Sequence, residues 1–155
     1  MIRNEKEYQE AIRRMQKDKK VIQHQRTELK KSKLSAQAIE RAMAPVLSFH
    51  QQLAEEAEWY ENVKRQKFGP LHELTQIGHL LIALRIGSGL SQRDLAECLK
   101  VSEAQVSRDE RNEYHGISIE RAAKILSIFG VHLESKVQMD KQPLTREKVL
   151  AGAGR

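Results

Sequence analysis

Residues 83–116, ALRIGSGLSQRDLAECLKVSEAQVSRDERNEYHG, decide the fold of this chain. Two short segments of helical period lie within it, and each opens on a serine, Ser91 and Ser102. A serine at a helix start accepts a hydrogen bond from one of the backbone N–H groups that the first turn leaves without a partner. In the first segment Leu95 and Leu99 face inward, and Ala96 is small where another helix must approach closely. In the second, Ser102 and Gln105 have the spacing of a capping box, and Val106 supplies the inward anchor. Helices this short, joined by so few residues, form a helix-turn-helix.

Apolar residues recur at three- and four-residue steps in both directions from this stretch, and strand-like alternation is nearly absent, so the fold class is all-α. Downstream, Ser118–Phe129 reads as a helix with Gly130 as a left-handed carboxyl cap. Residues 131–137, VHLESKV, alternate apolar and polar side chains and suit a short closing strand, followed by a loose tail over 138–155. Upstream, Leu71–Gly87 reads as one helix, with His72 and His79 two turns apart on it and no chemistry assigned to either. Gly69-Pro70 breaks the pattern and marks a boundary between residues 1–68 and the domain at 69–137.

The first 68 residues read as a long helical hairpin, a coiled-coil-like arm. Its first helix runs from Asn4 to Lys30, with Tyr8, Met15, Ile22 and Leu29 at seven-residue steps and Lys and Arg dense on the other faces. The second is capped by Ser35. It carries Ile39, Ala42, Val46, Phe49, Leu53, Glu56, Tyr60 and Val63 at the alternating steps of a seam. That seam either packs on the first helix or forms a dimer interface, and both uses are compatible. Pro45 either kinks the helix or opens a second piece, because proline cannot donate the interior hydrogen bond.

Residues 85–111, RIGSGLSQRDLAECLKVSEAQVSRDER, resemble the Xre/Cro family of phage and bacterial repressors. They meet its pattern R-x-x-x-G-L-S-Q-x-x-L-A-x-x-L-x-V-S-x-x-x-[IV]-S-R-x-E at nearly every position. The resemblance extends from the helix Leu71–Gly87 through Gly130, and it implies a sequence-specific regulator that binds double-stranded DNA. By resemblance Gln92, with Arg93 beside it, contacts a phosphate from a helix start, where free N–H groups favour anions. Ser102, Glu103, Ala104, Gln105, Ser107 and Arg108 match the part of the recognition helix that enters the major groove. Of these, Arg108 is best able to grip guanine O6 and N7. Arg111 completes the candidate DNA contacts, and Arg85 and Glu110 match a family ion pair that ties the reading helix to the helix before the motif.

Three positions depart from the family pattern. Lys100 stands where glycine is usual in the turn, so a left-handed backbone there costs about 1 kcal/mol. Asp109 stands where an apolar or aromatic residue commonly packs, which leaves a slight rotation of the helix or a pairing with a nearby base such as Arg111. The following NEYHGIS is longer and more polar than the usual turn.

Composition sets the remaining expectations. The chain has 155 residues, 27 Lys+Arg against 21 Asp+Glu, and a formal charge of +6. The excess sits at the amino end: residues 1–34 hold 11 basic and 5 acidic side chains, residues 69–137 hold 8 and 9. A lone DNA reader is expected to be more basic than that. KDKK at 17–20 and KKSK at 30–33 are accordingly either a solvated face or contacts to flanking DNA or an acidic partner. One cysteine, Cys98, excludes an internal disulfide, and a reducing cytoplasm, at the nucleoid, is the expected compartment. There is no signal peptide, membrane span, paired-histidine metal site, phosphate-cradling glycine loop or nucleophile elbow, so neither enzyme nor cofactor is expected. The leading expectation is a dimeric repressor on an inverted-repeat operator. The alternative is an antitoxin whose arm, residues 1–68, binds a toxin or other partner while the chain represses its own operon. The start IRNEKEYQEAIRRM is similar to the N-x-x-x-Y opening of Hig-type antitoxins.

Overall fold

The computed structural model describes residues 1–32 and 34–134. Helix α1 spans Glu5–Lys31. The Asn4 side chain accepts from the Glu7 N–H, acids Glu5 and Glu7 occupy the first turn, and Lys30 and Lys31 the last, which complements the helix dipole at both ends. Helix α2 spans Ala36–Lys64, capped by Ser35. It continues through Pro45 as one helix, so no second piece opens there. Pro45 is exposed, so the carbonyl it leaves without a donor lies on the water side of the helix.

The two helices form the expected antiparallel hairpin. At its base the Tyr8 and Tyr60 rings stack with centroids 5.1 Å apart, Tyr8 donates its hydroxyl proton to Glu61, and Lys64 pairs with Glu5 at 2.8 Å. The seam departs in part from its sequence spacing. Tyr60 and Val63 are buried and Ile39, Val46 and Leu53 half-buried, but Phe49 is 69% exposed, and Met43, outside the stripe, is buried instead. The period of a straight helix, 3.6 residues, carries a strict three-four stripe off the contact line, so Phe49 drifts outward.

Beyond the hairpin the chain runs without regular structure through Leu71 and His72 into a single 3-10 turn, Leu74–Gln76. Helix α3 is Ile77–Gly87, shorter than the expected Leu71–Gly87. Leu74 is 75% exposed, so no packing rewards extension of the helix in that direction, and His72 does not share a helix with His79. Helices α4 (Gln92–Leu99), α5 (Glu103–Arg111) and α6 (Ile119–Ile128) follow. Every residue from Leu81 to Ile86 is buried, so α3 is covered on all sides, the pattern of a central helix. Gly78 on α3 meets the loop after α5 so closely that a Cβ there would stand 1.9 Å from the Glu113 carbonyl oxygen.

One buried cluster joins the hairpin base to these helices: Ile2, Ala11, Ala57, Tyr60 and Val63 continue into Leu81, Leu95, Val106 and Ile125. Gly130 has the expected left-handed backbone, φ +65°. No strand occurs among the described residues. Val131–Glu134 are not helical, while the rest of the expected strand and the 138–155 tail lie outside the described residues. Among the described residues no helix is long and apolar enough to cross a membrane.

Candidate nucleic-acid interface

Local signals build the two motif helices. Ser91 accepts from the Asp94 N–H at 3.1 Å while Asp94 accepts from the Ser91 N–H at 2.8 Å, a complete capping box. Ser102 accepts from the Gln105 N–H at 3.2 Å, but the reciprocal half expected of Gln105 is missing: its amide donates forward to Asp109 at 2.8 Å. The capping box thus belongs to α4 and not to α5. Between them Lys100 takes the left-handed conformation that glycine usually supplies, φ 57° and ψ 45°. The Val101 and Lys100 N–H groups bond back to the Ala96 and Glu97 carbonyls, closing the end of α4.

A buried ion pair sets the pose of α5. Arg85 and Glu110 are 3% and 1% exposed. Arg85 Nη2 donates to Glu110 Oε2 at 2.7 Å, and its Nε donates to the other carboxylate oxygen. Two further guanidinium protons reach the Leu90 carbonyl at 2.9 Å and the Arg3 carbonyl at 3.0 Å. A charge withdrawn from water needs partners of this kind, since each hydrogen bond left unmade would cost about 1–3 kcal/mol or more. The Arg3 contact brings the start of α1 onto the same guanidinium. Gln92, at the first position of α4, donates to Glu110 Oε2 at 2.8 Å. A carboxamide nitrogen carries two protons, so one remains for a phosphate oxygen.

The rest of α5 divides by face. Val106 is fully buried against the core; Ser102, Glu103, Ala104, Arg108 and Arg111 are exposed; Gln105 and Ser107 are half-buried. Arg93 is exposed and pairs with Glu97 at 3.3 Å, a surface pair of little strength that a phosphate can replace. Ala104, Arg108 and Arg111 form an exposed row along α5.

Residues 81–135 match the family described as helix-turn-helix, HTH_3. This is a helix-turn-helix domain of the Xre/Cro type. No curated protein and no solved structure gives a significant match to the chain. The HTH_3 domain is a DNA-binding regulatory module and not an enzyme family, so the chain carries the double-stranded-DNA-binding part of a transcription regulator. Among the described residues no group of His, Cys, Asp and Glu is placed to hold a metal ion, and Cys98 is exposed.

Within the helix-turn-helix, Asp109 has a partner that sequence reasoning did not name. It pairs with Arg121 of α6 and not with Arg111, which is exposed. Arg121 is the third residue of α6, fixed there by the Ser118 cap, which accepts from its N–H at 3.2 Å. Nothing local in the sequence links residues 109 and 121, since the pairing is made by the packing of α6. The Ser91–Asp94 spacing, in contrast, was a readable signal.

The segment after α5 replaces the usual tight turn with two consecutive left-handed residues, Glu113 (φ 51°) and Tyr114 (φ 54°). Tyr114 is 5% exposed and burial pushes its phenol well above the ordinary tyrosine range. Glu113 pairs with His79 of α3 at 3.1 Å, which ties the loop to the central helix. Asn112 and His115 stay exposed beside Arg111.

Proposed function

We propose that this chain is a sequence-specific repressor that works as a dimer on an inverted-repeat operator, with α5 in the major groove. The observation that supports the reading is the outward row of α5, with Arg108 and Arg111 exposed on a helix whose pose is set by the buried Arg85–Glu110 pair. Arg85, Arg93 and Arg121 are all engaged with carboxylates, whereas Arg108 extends from the exposed face. A guanidinium in that position suits the O6 and N7 acceptors of guanine. In this reading residues 69–137 read bases, Gln92 and Arg93 hold phosphates, and residues 1–68 contribute the positive charge that the near-neutral domain lacks. Two-fold symmetry of the dimer would place the operator half-sites one helical turn apart, about 34–36 Å.

Arg108→Ala should lower affinity by about 1–3 kcal/mol and relax preference at one base position. Gln92→Ala should weaken binding on every sequence alike. Mobility-shift titration against selected and scrambled duplexes checks both, and an unchanged titration for Arg108→Ala would sink the mechanism.

A second reading is favoured by the arm. Its half remote from the helix-turn-helix exposes Val21, Leu34, Leu47 and Phe49 on a basic hairpin, apolar surface that the pairing of α1 with α2 leaves open to water. In that reading the arm neutralises a toxin and the chain controls its own operon. Co-purification of the full chain with the product of an adjacent small gene, and relief of that product's toxicity, would favour it. No association would leave the plain repressor in front.

A further inference from the structure

The side of α5 next to its groove-facing row carries a linked set of three polar side chains. Gln105 Nε2 donates to Asp109 Oδ1 at 2.8 Å, and the other oxygen of Asp109 takes the guanidinium of Arg121 from α6. Gln105 and Asp109 stand one turn apart on α5, and Arg121 reaches them from the third position of α6. The Asp109 side chain is 18% exposed and that of Arg121 36%, so the set lies at the edge of the core, where its bonds are only partly shared with water.

The chemistry fixes which way the Gln105 amide points. A carboxylate engaged by an arginine offers acceptors only, so the amide must turn its nitrogen toward Asp109. One N–H is thereby committed. The second N–H and the carbonyl oxygen are left as an adjacent donor–acceptor pair. In the major groove adenine is the base that presents the complementary pair, an acceptor at N7 and a donor at N6. A free glutamine would sample both amide orientations and many rotamers, and it would lose that freedom on binding.

We propose that Gln105 reads adenine in the operator and that Asp109 and Arg121 are positioning residues that hold its amide in the reading orientation. The inference rests on the reading of α5 as the recognition helix, and it gives the unusual acid at position 109 a task. Asp109 and Arg121 touch no base in this scheme; they act through Gln105.

The test is selection of bound sequences from random DNA by the full chain, followed by competition titrations at each position of the preferred site. Variants are Gln105→Ala, Arg121→Gln, Arg121→Lys and the apolar pair Asp109→Leu with Arg121→Met. Wild type should prefer adenine at one position of each half-site, by about tenfold over the next base. Gln105→Ala should lose that preference, and the apolar pair should lose most of it at the same position. Both should keep preference elsewhere and the salt dependence of binding. Arg121→Lys, which keeps a cation on Asp109, should retain the adenine preference; Arg121→Gln, a milder break at a half-exposed site, should lose part of it and keeps the test decisive if the apolar pair proves unstable.

An unchanged base profile for Gln105→Ala overturns the reading role. An unchanged adenine preference in both the apolar pair and Arg121→Gln overturns the positioning role. Absence of any sequence preference in wild type is a different failure, that of α5 as a recognition helix, and the proposal falls with it.

Discussion

The hairpin and the helix-turn-helix are both built of well-capped helices, yet they are held by different forces. Helix α1 has 27 residues and buries one of them, Ala11; α2 has 29 and buries four, of which Ala57, Tyr60 and Val63 lie at the end next to the helix-turn-helix. The much shorter α3 buries seven. Of the largest fully buried side chains, all but Val63 belong to the helix-turn-helix. Burial thus declines with distance from α3, and the outer half of the arm rests chiefly on local helix signals and a thin contact line. The reading domain is specified by its core, and the arm is anchored at its base.

The largest contrast should come from ion pairs of the two regions. Glu110→Ala leaves Arg85 buried beside Leu90 and the Arg3 carbonyl without its counter-charge. About 3–5 kcal/mol of stability should be lost, by urea denaturation of the full chain. Glu5→Ala in the arm removes the exposed Lys64 partner and should cost less than about 1 kcal/mol. Equal losses would mean that the hairpin is as tightly specified as the helix-turn-helix. Replacing both members of the buried pair by apolar residues should cost much less than Glu110→Ala, because no stranded charge remains.

Next in size are the apolar side chains. Leu95 is fully buried, and Leu95→Ala should cost about 2–5 kcal/mol through lost contacts and a cavity. Phe49, larger but exposed in the arm, should tolerate Phe49→Ala within about 0.5 kcal/mol in the same measurement. A loss above about 2 kcal/mol for Phe49→Ala, growing with protein concentration, would show instead that a second copy covers this ring.

The same difference explains what could be read from sequence. The motif helices were legible because their signals are local: Ser91 and Ser102 cap the helix starts they open, and Leu95, Leu99 and Val106 fall inward. The Arg85–Glu110 pair was legible through the family pattern, and the two side chains form a buried ion pair. Features made by packing between distant segments were not legible. The Arg121 partner of Asp109, the Arg3 carbonyl on Arg85, and Ile2 in the shared core all require α6 or the start of α1 to be in place. The seam failed at Phe49 for a related reason, since a coiled-coil stripe presumes a contact line along the whole helix. Leu71–Gly87 was read too long because Leu71 and Leu74 continue the helical period, although Leu74 meets no core.

The smallest effect concerns the turn between α4 and α5, where stability and binding should move in opposite directions. Lys100 holds a left-handed backbone that costs an L-residue about 1 kcal/mol, and Lys100→Gly removes that strain. The gain is reduced because glycine has more freedom to lose on folding, so a net stabilisation of about 0.5 kcal/mol is expected in urea. If the exposed lysine side chain also lies against a phosphate, the same substitution should lower DNA affinity on all sequences and reduce the slope of log affinity against log salt by about one. A more stable variant with an unchanged salt slope would make Lys100 a tolerated departure with no part in binding. A more stable variant with a shallower slope would show that the turn gives up backbone ease for a charge on the DNA side.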